Sequence, residues 1–476
     1  MLRRRGFQPF DWQVEAWHLG LAGGSGLIHA PTGTGKTLAA LGGELARALA
    51  ERGPGDAACG PGAGPRLLWV TPLRALASDT RRAIDEAAAA VGLDWRVRVG
   101  NGDTTSGERA RIRRGECEAL VTTPESLALL LSHADGHERL AALGTVVVDE
   151  WHELLGDKRG ALLALNLERL RRLAGERGRT APLPVLGLSA TLGNLDTALA
   201  ALLGPGRPGR IVAGRTAKAI AVDSLLPASV ARFPWAGHLG LAQLPAVAAA
   251  VASARSTLVF TNTRAQAELW HEALSSVWTD QPGRLALHHG SLDRAARDAV
   301  ESGLREGRIR CVVATSSLDL GVDFPSVDQV IQIGSPKGIA RLVQRAGRSG
   351  HRPGAASRVL CVPTHALELL DLAAARRALA QGLLEAREPQ VACLDVLAQH
   401  VATSALAGPV RADDLRAEAR ATLAFAQLSE ADWQRVLNLV TRGGDALAAY
   451  PDFQRVVEAD GWLTIASPRI ARLQRQ

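Results

Sequence analysis

Two successive series of short apolar runs constrain this chain more than any other feature. The first occupies residues 27–30, 67–71, 119–123, 146–149 and 185–189. The second occupies 257–261, 285–288, 311–315, 329–333 and 358–362. Helical stretches separate the runs. Runs that are apolar at nearly every position are buried on both faces, as parallel strands covered by helices are. Two series therefore predict two tandem α/β domains with parallel sheets. The join is expected in the Gly/Pro-rich stretch 204–209, and a second such stretch, 53–65, reads as a surface loop. After residue 389 the pattern changes. Segments 394–406, 412–422 and 430–440 have helical periodicity, and 453–457 and 462–465 flank Asp460-Gly461, a hairpin turn pair. Helices followed by a hairpin suggest a small winged-helix domain, with any other small α+β domain as the alternative. The expected extents are 1–205, 206–388 and 389–476.

Composition narrows the class. A chain of 476 residues can hold two or three domains with sizeable cores. No uninterrupted apolar run approaches the roughly 18 residues of a spanning helix. The basic start Met1-Leu2-Arg3-Arg4-Arg5 is followed by Gly6-Phe7-Gln8-Pro9-Phe10, not by a signal core. The expectation is a soluble, cytoplasmic protein with no membrane partner. The five cysteines (Cys59, Cys117, Cys311, Cys361, Cys393) form no CxxC pair, which argues against a zinc or iron–sulfur site and against a disulfide framework. The net charge is +7, and from residue 389 onward nine Arg face ten Asp plus Glu, so the basic excess lies in the first 388 residues. An Arg-rich surface suits nucleic acid but does not specify it.

Chemistry enters with Ala30-Pro31-Thr32-Gly33-Thr34-Gly35-Lys36-Thr37, placed between an apolar run and a helical stretch. Strand, Gly-rich turn, Lys-Thr and helix make a phosphate loop. The glycines let backbone amides of Thr34 and Gly35 approach phosphates, and the helix N-terminus favours the anion. Lys36 is placed to reach the β- and γ-phosphates of ATP and Thr37 to hold Mg²⁺. About 110 residues on, Val146-Val147-Val148-Asp149-Glu150-Trp151-His152 ends a strand with two carboxylates. Adjacent strand residues face opposite ways. We assign Asp149 to the metal and Glu150 to activation of the attacking water.

In order along the chain, the motifs resemble those of superfamily 2 helicases. Asp149-Glu150-Trp151-His152 looks like their DExH box, and Phe10-Asp11-Trp12-Gln13 resembles the Q motif. By that resemblance Gln13 reads the adenine edge. Residues 71–76 and 122–126 resemble motifs Ia and Ib, which implies nucleic-acid backbone contacts from Arg74, Thr122 and Thr123. Ser189-Ala190-Thr191 resembles the coupling motif III, to which His152 belongs functionally. Residues 259–264, 315–323 and 344–351 look like motifs IV, V and VI. They imply nucleic-acid contacts from Thr261, Asn262 and Thr315, a ribose contact from Asp323, Gln344 near the γ-phosphate and water, and Arg348 as an arginine finger. Two positions depart from the pattern: Asp319 stands where Glu is expected, and His351 where many members have a second arginine. His288-His289 reads as a core or strand-end pair more than as a metal site.

Residues 72–76, 149–154 and 344–351 are similar to the large helicase-related family, and residues 25–37 look most like its bacterial branch of ligase-associated DEXH-box helicases. The resemblance implies two RecA-like domains and a winged helix, ATP and Mg²⁺ as cofactors, and 3′-to-5′ movement on single-stranded or tailed duplex DNA. It also implies a role in DNA repair beside partners such as a ligase, at the bacterial nucleoid. Members of that family continue into a further C-terminal domain, so a fragment or a short form is expected. Two alternatives stay open: an ATPase that remodels RNA or RNA–DNA hybrids, and a nucleic-acid clamp without turnover. Intact Lys36, Glu150 and Arg348 argue against the clamp.

Overall fold

The computed structural model describes residues 8–51, 64–140, 142–176, 178–214, 220–226, 240–281, 283–319, 327–349, 357–444, 454–467 and 469–471. Among them, seven strands form the first sheet: β1 (Gly26–His29), β2 (Leu67–Val70), β3 (Val97–Gly100), β4 (Ala119–Thr122), β5 (Thr145–Val148), β6 (Val185–Ser189) and β7 (Arg210–Ala213). Their order is β3-β4-β2-β5-β6-β1-β7, and every pairing is parallel. The unbroken apolar pattern has its reason in the packing. Val146 and Val148 join Leu68 and Leu120 on one face, while Val147 joins Trp69 and Leu188 on the other. Helices cover both faces, so no strand position of β5 reaches water.

Six described strands form a second parallel sheet: β8 (Ile220–Ser224), β9 (Thr257–Phe260), β10 (Leu285–His288), β11 (Cys311–Ala314), β12 (Gln329–Ile333) and β13 (Ser357–Val362), in the order β10-β11-β9-β12-β13-β8. Again alternate residues divide, Leu258 and Phe260 to one face and Val259 to the other. The two domains repeat each other in detail. The Thr71 hydroxyl donates to Leu73 O at 3.1 Å and Thr122 O at 3.4 Å; the Thr261 hydroxyl donates to Thr263 O at 3.1 Å and Ala314 O at 3.4 Å. Helices then begin at Arg74 and at Arg264.

The join differs from its expected place. Gly204 and Gly206, at φ 97° and 72°, turn the chain back so that β7 pairs with β1. The first sheet therefore extends to Ala213, past the Gly/Pro stretch. Edge strands β3, β7 and β8 escape a reading by apolar runs because arginine, aspartate or glycine interrupts them.

The last region is a winged helix. Helices Leu394–Ala407, Ala412–Arg420 and Glu430–Arg442 accompany a three-stranded antiparallel sheet of β14 (Val410–Arg411), β15 (Val456–Ala459) and β16 (Trp462–Ile465). Asp460 and Gly461, at φ 53° and 77°, make the tight turn of the wing, both left-handed as a two-residue hairpin needs. The domain follows the second sheet in sequence but packs on the first domain. Ala128, Ala161, Leu162 and Leu165 of first-domain helices share one core with Leu397, Val401, Phe425 and Trp433. Among the described residues, no helix is long and apolar enough to cross a membrane.

Candidate active site

In a parallel sheet, every strand presents its carboxyl end at the same edge, where ligands bind at the change of strand order. That edge carries the phosphate loop after β1, Asp149 and Glu150 after β5, and Ser189 at the end of β6. Gly33 and Gly35 adopt φ 79° and 86°. A Cβ at Gly35 would lie 2.6 Å from Gln13 Nε2, so glycine is needed twice over. Gln13 is buried and braces the loop: its Nε2 donates to Thr34 O at 3.1 Å, and its Oε1 accepts from Phe10 N at 3.0 Å. The Thr34 hydroxyl donates to Pro31 O at 2.7 Å.

Lys36 is buried and folds back on the loop, donating to Ala30 O at 2.9 Å and Pro31 O at 3.3 Å. Burial pulls its ammonium below the usual lysine range, and the carboxylates of Glu150 and Asp149 oppose the shift. Asp149 accepts from Trp69 Nε1 at 3.2 Å and from Glu150 N at 2.9 Å. Burial first, and the Glu150 charge second, push its carboxyl up to about 7. Glu150 precedes the helix Trp151–Leu155 with φ 44° and ψ 46°, a left-handed conformation rare for a residue with a Cβ. Its Oε2 is buried with no hydrogen-bond partner. A buried ammonium satisfied only by loop carbonyls, a buried carboxylate oxygen that makes no hydrogen bond and two left-handed glycines fit a nucleotide phosphate and its cation. Thr37 and Asp149 are the residues to hold that cation, and Lys36 with the loop amides the phosphates.

The second domain completes the constellation. Gln344, on the helix Ile339–Ala346, places its Nε2 at 2.7 Å from His152 Nε2, 3.3 Å from Thr191 Oγ1 and 3.3 Å from Glu153 Oε1. His152 is fully buried, and burial holds its pKa near 3, so the ring is neutral. The Gln344 amide nitrogen only donates, so His152 Nε2 accepts and the ring proton sits on Nδ1. Nδ1 lies 3.4 Å from Ser189 Oγ. Arg348 donates to Asp319 O at 2.9 Å, and its charge acts on both Lys36 and Glu150. Asp323 and His351 lie outside the described residues.

Arg345 escaped the sequence reading. It is buried, bonds both Asp319 oxygens at 2.8 and 3.2 Å, reaches Gln332 Oε1, and stacks 4.7 Å above the Phe260 ring. Asp319 is thus the carboxylate that holds this buried guanidinium. The signal available was an arginine two residues from glycine on an amphipathic helix, which does not distinguish a core cation from a finger.

On the expected nucleic-acid face the residues divide. Arg74 is exposed and pairs with Asp103 at 3.1 Å. Thr122 and Thr123 are buried, and their hydroxyls serve Gly100 O at 2.7 Å and the cap of helix Pro124–Leu131. Asn262 Nδ2 donates to Ser335 O at 2.8 Å, while Thr315 sits half-buried after β11. Of these, Arg74 is the one exposed charge, and it is ion-paired; Thr122, Thr123 and Asn262 hold the backbone there. His288 sits between Ser317 Oγ at 2.7 Å and Glu301 at 3.2 Å.

Sequence models of three families match in the same order. A DEAD/DEAH box helicase model covers residues 10–198, a helicase conserved C-terminal domain model 241–353, and the winged helix domain of the large helicase-related protein 377–476. The chain belongs to the large helicase-related family of superfamily 2 helicases. The Lhr helicase/uracil glycosylase of Escherichia coli is 32% identical over 91% of this chain and 31% of its own length. The ATP-dependent helicase Lhr-Core of Methanothermobacter thermautotrophicus is 33% identical over 87% of this chain and 48% of its own. The chain thus spans a third to a half of these Lhr relatives. The structure of Mycobacterium smegmatis helicase Lhr bound to ssDNA and AMP-PNP superposes with a TM-score of 0.84 and 32% identity, over all of this chain and 60% of that one.

Proposed function

We propose that this chain is the motor core of an ATP-hydrolysing helicase or translocase that moves along single-stranded DNA. One observation carries the reading. Gln344 of the second domain meets His152 and Thr191 of the first, and the Arg348 charge is near enough to act on Lys36 and Glu150. Catalytic groups divided between two domains act together only when the cleft is closed, so hydrolysis becomes a cycle of closing and opening. Gln13 and Asp323 hold the nucleoside, and Lys36 with the amides of Thr34 and Gly35 holds the phosphates. Thr37 and Asp149 hold Mg²⁺, which when bound neutralises charge on the phosphates. Glu150 orients water and takes its proton, and Arg348 stabilises the charge that develops on the transferred phosphoryl group. Gln344, His152, Ser189 and Thr191 report that event across the domain seam.

The nucleic-acid path runs over Arg74 and the loop backbone that the buried Thr122 and Thr123 order in the first domain, and over the backbone beside Thr261, Asn262 and Thr315 in the second. Contacts to one strand from two domains that move apart give steps. The Lhr relative bound to ssDNA and AMP-PNP supports the choice of strand and nucleotide. Movement 3′-to-5′, a place in bacterial DNA repair with partners such as a ligase, and action at the nucleoid follow from the family resemblance and belong to the same proposal. The deciding experiment measures ATP hydrolysis by the chain alone, with single-stranded DNA, and with RNA of the same sequence. Stimulation by DNA only is expected. Equal or greater stimulation by RNA moves the function to RNA or hybrid remodelling, and no turnover at all overturns the motor reading.

A further inference from the structure

The segment joining the second domain to the winged helix does not cross the outer surface. Residues 384–390 run along the seam between the two α/β domains. The Glu385 carboxylate accepts from Ala340 N at 2.9 Å and from Ile339 N, the free amides at the start of the helix that carries Gln344. Its carbonyl accepts from Gly193 N at 3.1 Å, directly after the Ser189–Thr191 segment. A Cβ at Gly193 would overlap the Leu384 carbonyl, so the backbones can meet only at glycine. Arg387 follows. Its N donates to Asn194 Oδ1 at 3.0 Å and its O accepts from Asn194 Nδ2 at 3.1 Å. Its guanidinium donates to His152 O at 2.7 Å and reaches Glu153 Oε1 at 3.4 Å, the same oxygen that Gln344 approaches. Gln390 Nε2 then donates to Gly156 O at 3.3 Å.

We propose that Arg387 is a positioning residue that pins the seam strap to the first domain and makes it the pivot of cleft closure. The winged helix shares a core with the first domain, so the strap must absorb every movement of the second. The Glu385 carboxylate holds the second domain, its carbonyl and Arg387 hold the first, and the two side-chain anchors are only two residues apart, which leaves roughly 7 Å of chain between them. The second domain therefore rotates about this point instead of separating there. Gln344 and His152 lie beside the pivot, so they part less than groups on the far side of the cleft as it opens. Arg387 sets the place of His152 through its carbonyl and through Glu153, without touching nucleotide.

The inference rests on the motor reading, and its test separates the two. In the full chain, Arg387→Ala is expected to leave the KM for ATP within about twofold and to lower DNA-stimulated kcat about tenfold, the size of a coupling effect. Arg387→Lys keeps one of the two donors and should recover part of the loss. Asn194→Ala releases the same clamp from the other side; it should act in the same direction, and less than multiplicatively with Arg387→Ala. It carries the test if the Arg387→Ala chain does not fold. Parent-like kcat in the alanine variants, a matching rise in KM, or lysine no better than alanine overturns the proposal. If the parent shows no stimulated turnover, the motor reading fails, and hydrogen exchange of amides 339–346 decides the pivot. Faster exchange in Arg387→Ala supports it; unchanged exchange sinks it.

Discussion

Glu150 combines a left-handed backbone with a buried carboxylate oxygen that makes no hydrogen bond, His152 Nδ1 lying 3.4 Å away. Each feature is unfavourable by about 1–3 kcal/mol, and such strain persists where the surroundings over-determine it. Glu150→Gln removes the base and the buried charge together. Its stimulated kcat should fall by roughly 10²–10⁴-fold while its thermal midpoint rises, read from steady-state turnover and a melting curve. Arg348→Ala should lose about 10³-fold in kcat with the fold intact. A pH effect follows from His29, whose pKa burial lowers to about 4, Lys36 adding to the shift. The unfolded chain takes up a proton at 6.5 that the folded chain refuses until about 4. The associated stability is therefore whole above pH 6.5 and is lost as pH falls toward 4. His29→Gln should lose less of its midpoint between pH 7 and 5 than the parent does, and an equal loss in both chains would refute the assignment.

At the scale of elements, local chemistry and packing agree at the phosphate loop. Gly35→Ala meets both a positive φ and the Gln13 amide, so it should raise the KM for ATP and lower the midpoint by an amount expected of about 1–3 kcal/mol. The wing was legible from Asp460-Gly461 because only residues that tolerate φ > 0 make that turn. Of the four edge strands described in the two parallel sheets, only β10 was legible: a strand paired on one side needs little apolar surface, so β3, β7 and β8 carry polar residues and leave no run.

The whole molecule joins units that are not neighbours in sequence. The winged helix rests on the first domain through Leu397, Val401 and Phe425 and through ion pairs Arg169–Glu418 at 3.0 Å and Lys158–Asp395 at 2.7 Å. Arg169 and Glu418 are both buried, and removing Glu418 leaves the Arg169 charge uncompensated, about 3–5 kcal/mol, whereas Glu418 without Arg169 keeps Arg172 at 3.6 Å and His400 at 3.4 Å. Deleting residues 389–476 should therefore expose Ala128, Ala161, Leu162 and Leu165, lower the thermal midpoint, and weaken DNA stimulation more than ATP binding. Normal stimulated turnover in the deleted chain would mean that the winged helix plays no part in coupling. Because the first domain and winged helix share a core, the proposed cycle of cleft closure assigns the movement to the second domain.

By itself the sequence determined the two parallel sheets, the wing turn and the identity of the phosphate-loop and acidic motifs. These rest on spacings of a few residues, where backbone geometry and burial period act locally. Only the tertiary structure decided that Gln344 meets His152 and Thr191, that Arg345 is a core cation serving Asp319, that Thr122 and Thr123 are turned inward, and that Arg387 clamps the seam. Those contacts join residues tens to hundreds of positions apart. Their partners are chosen by how the domains pack, and no local period encodes that choice.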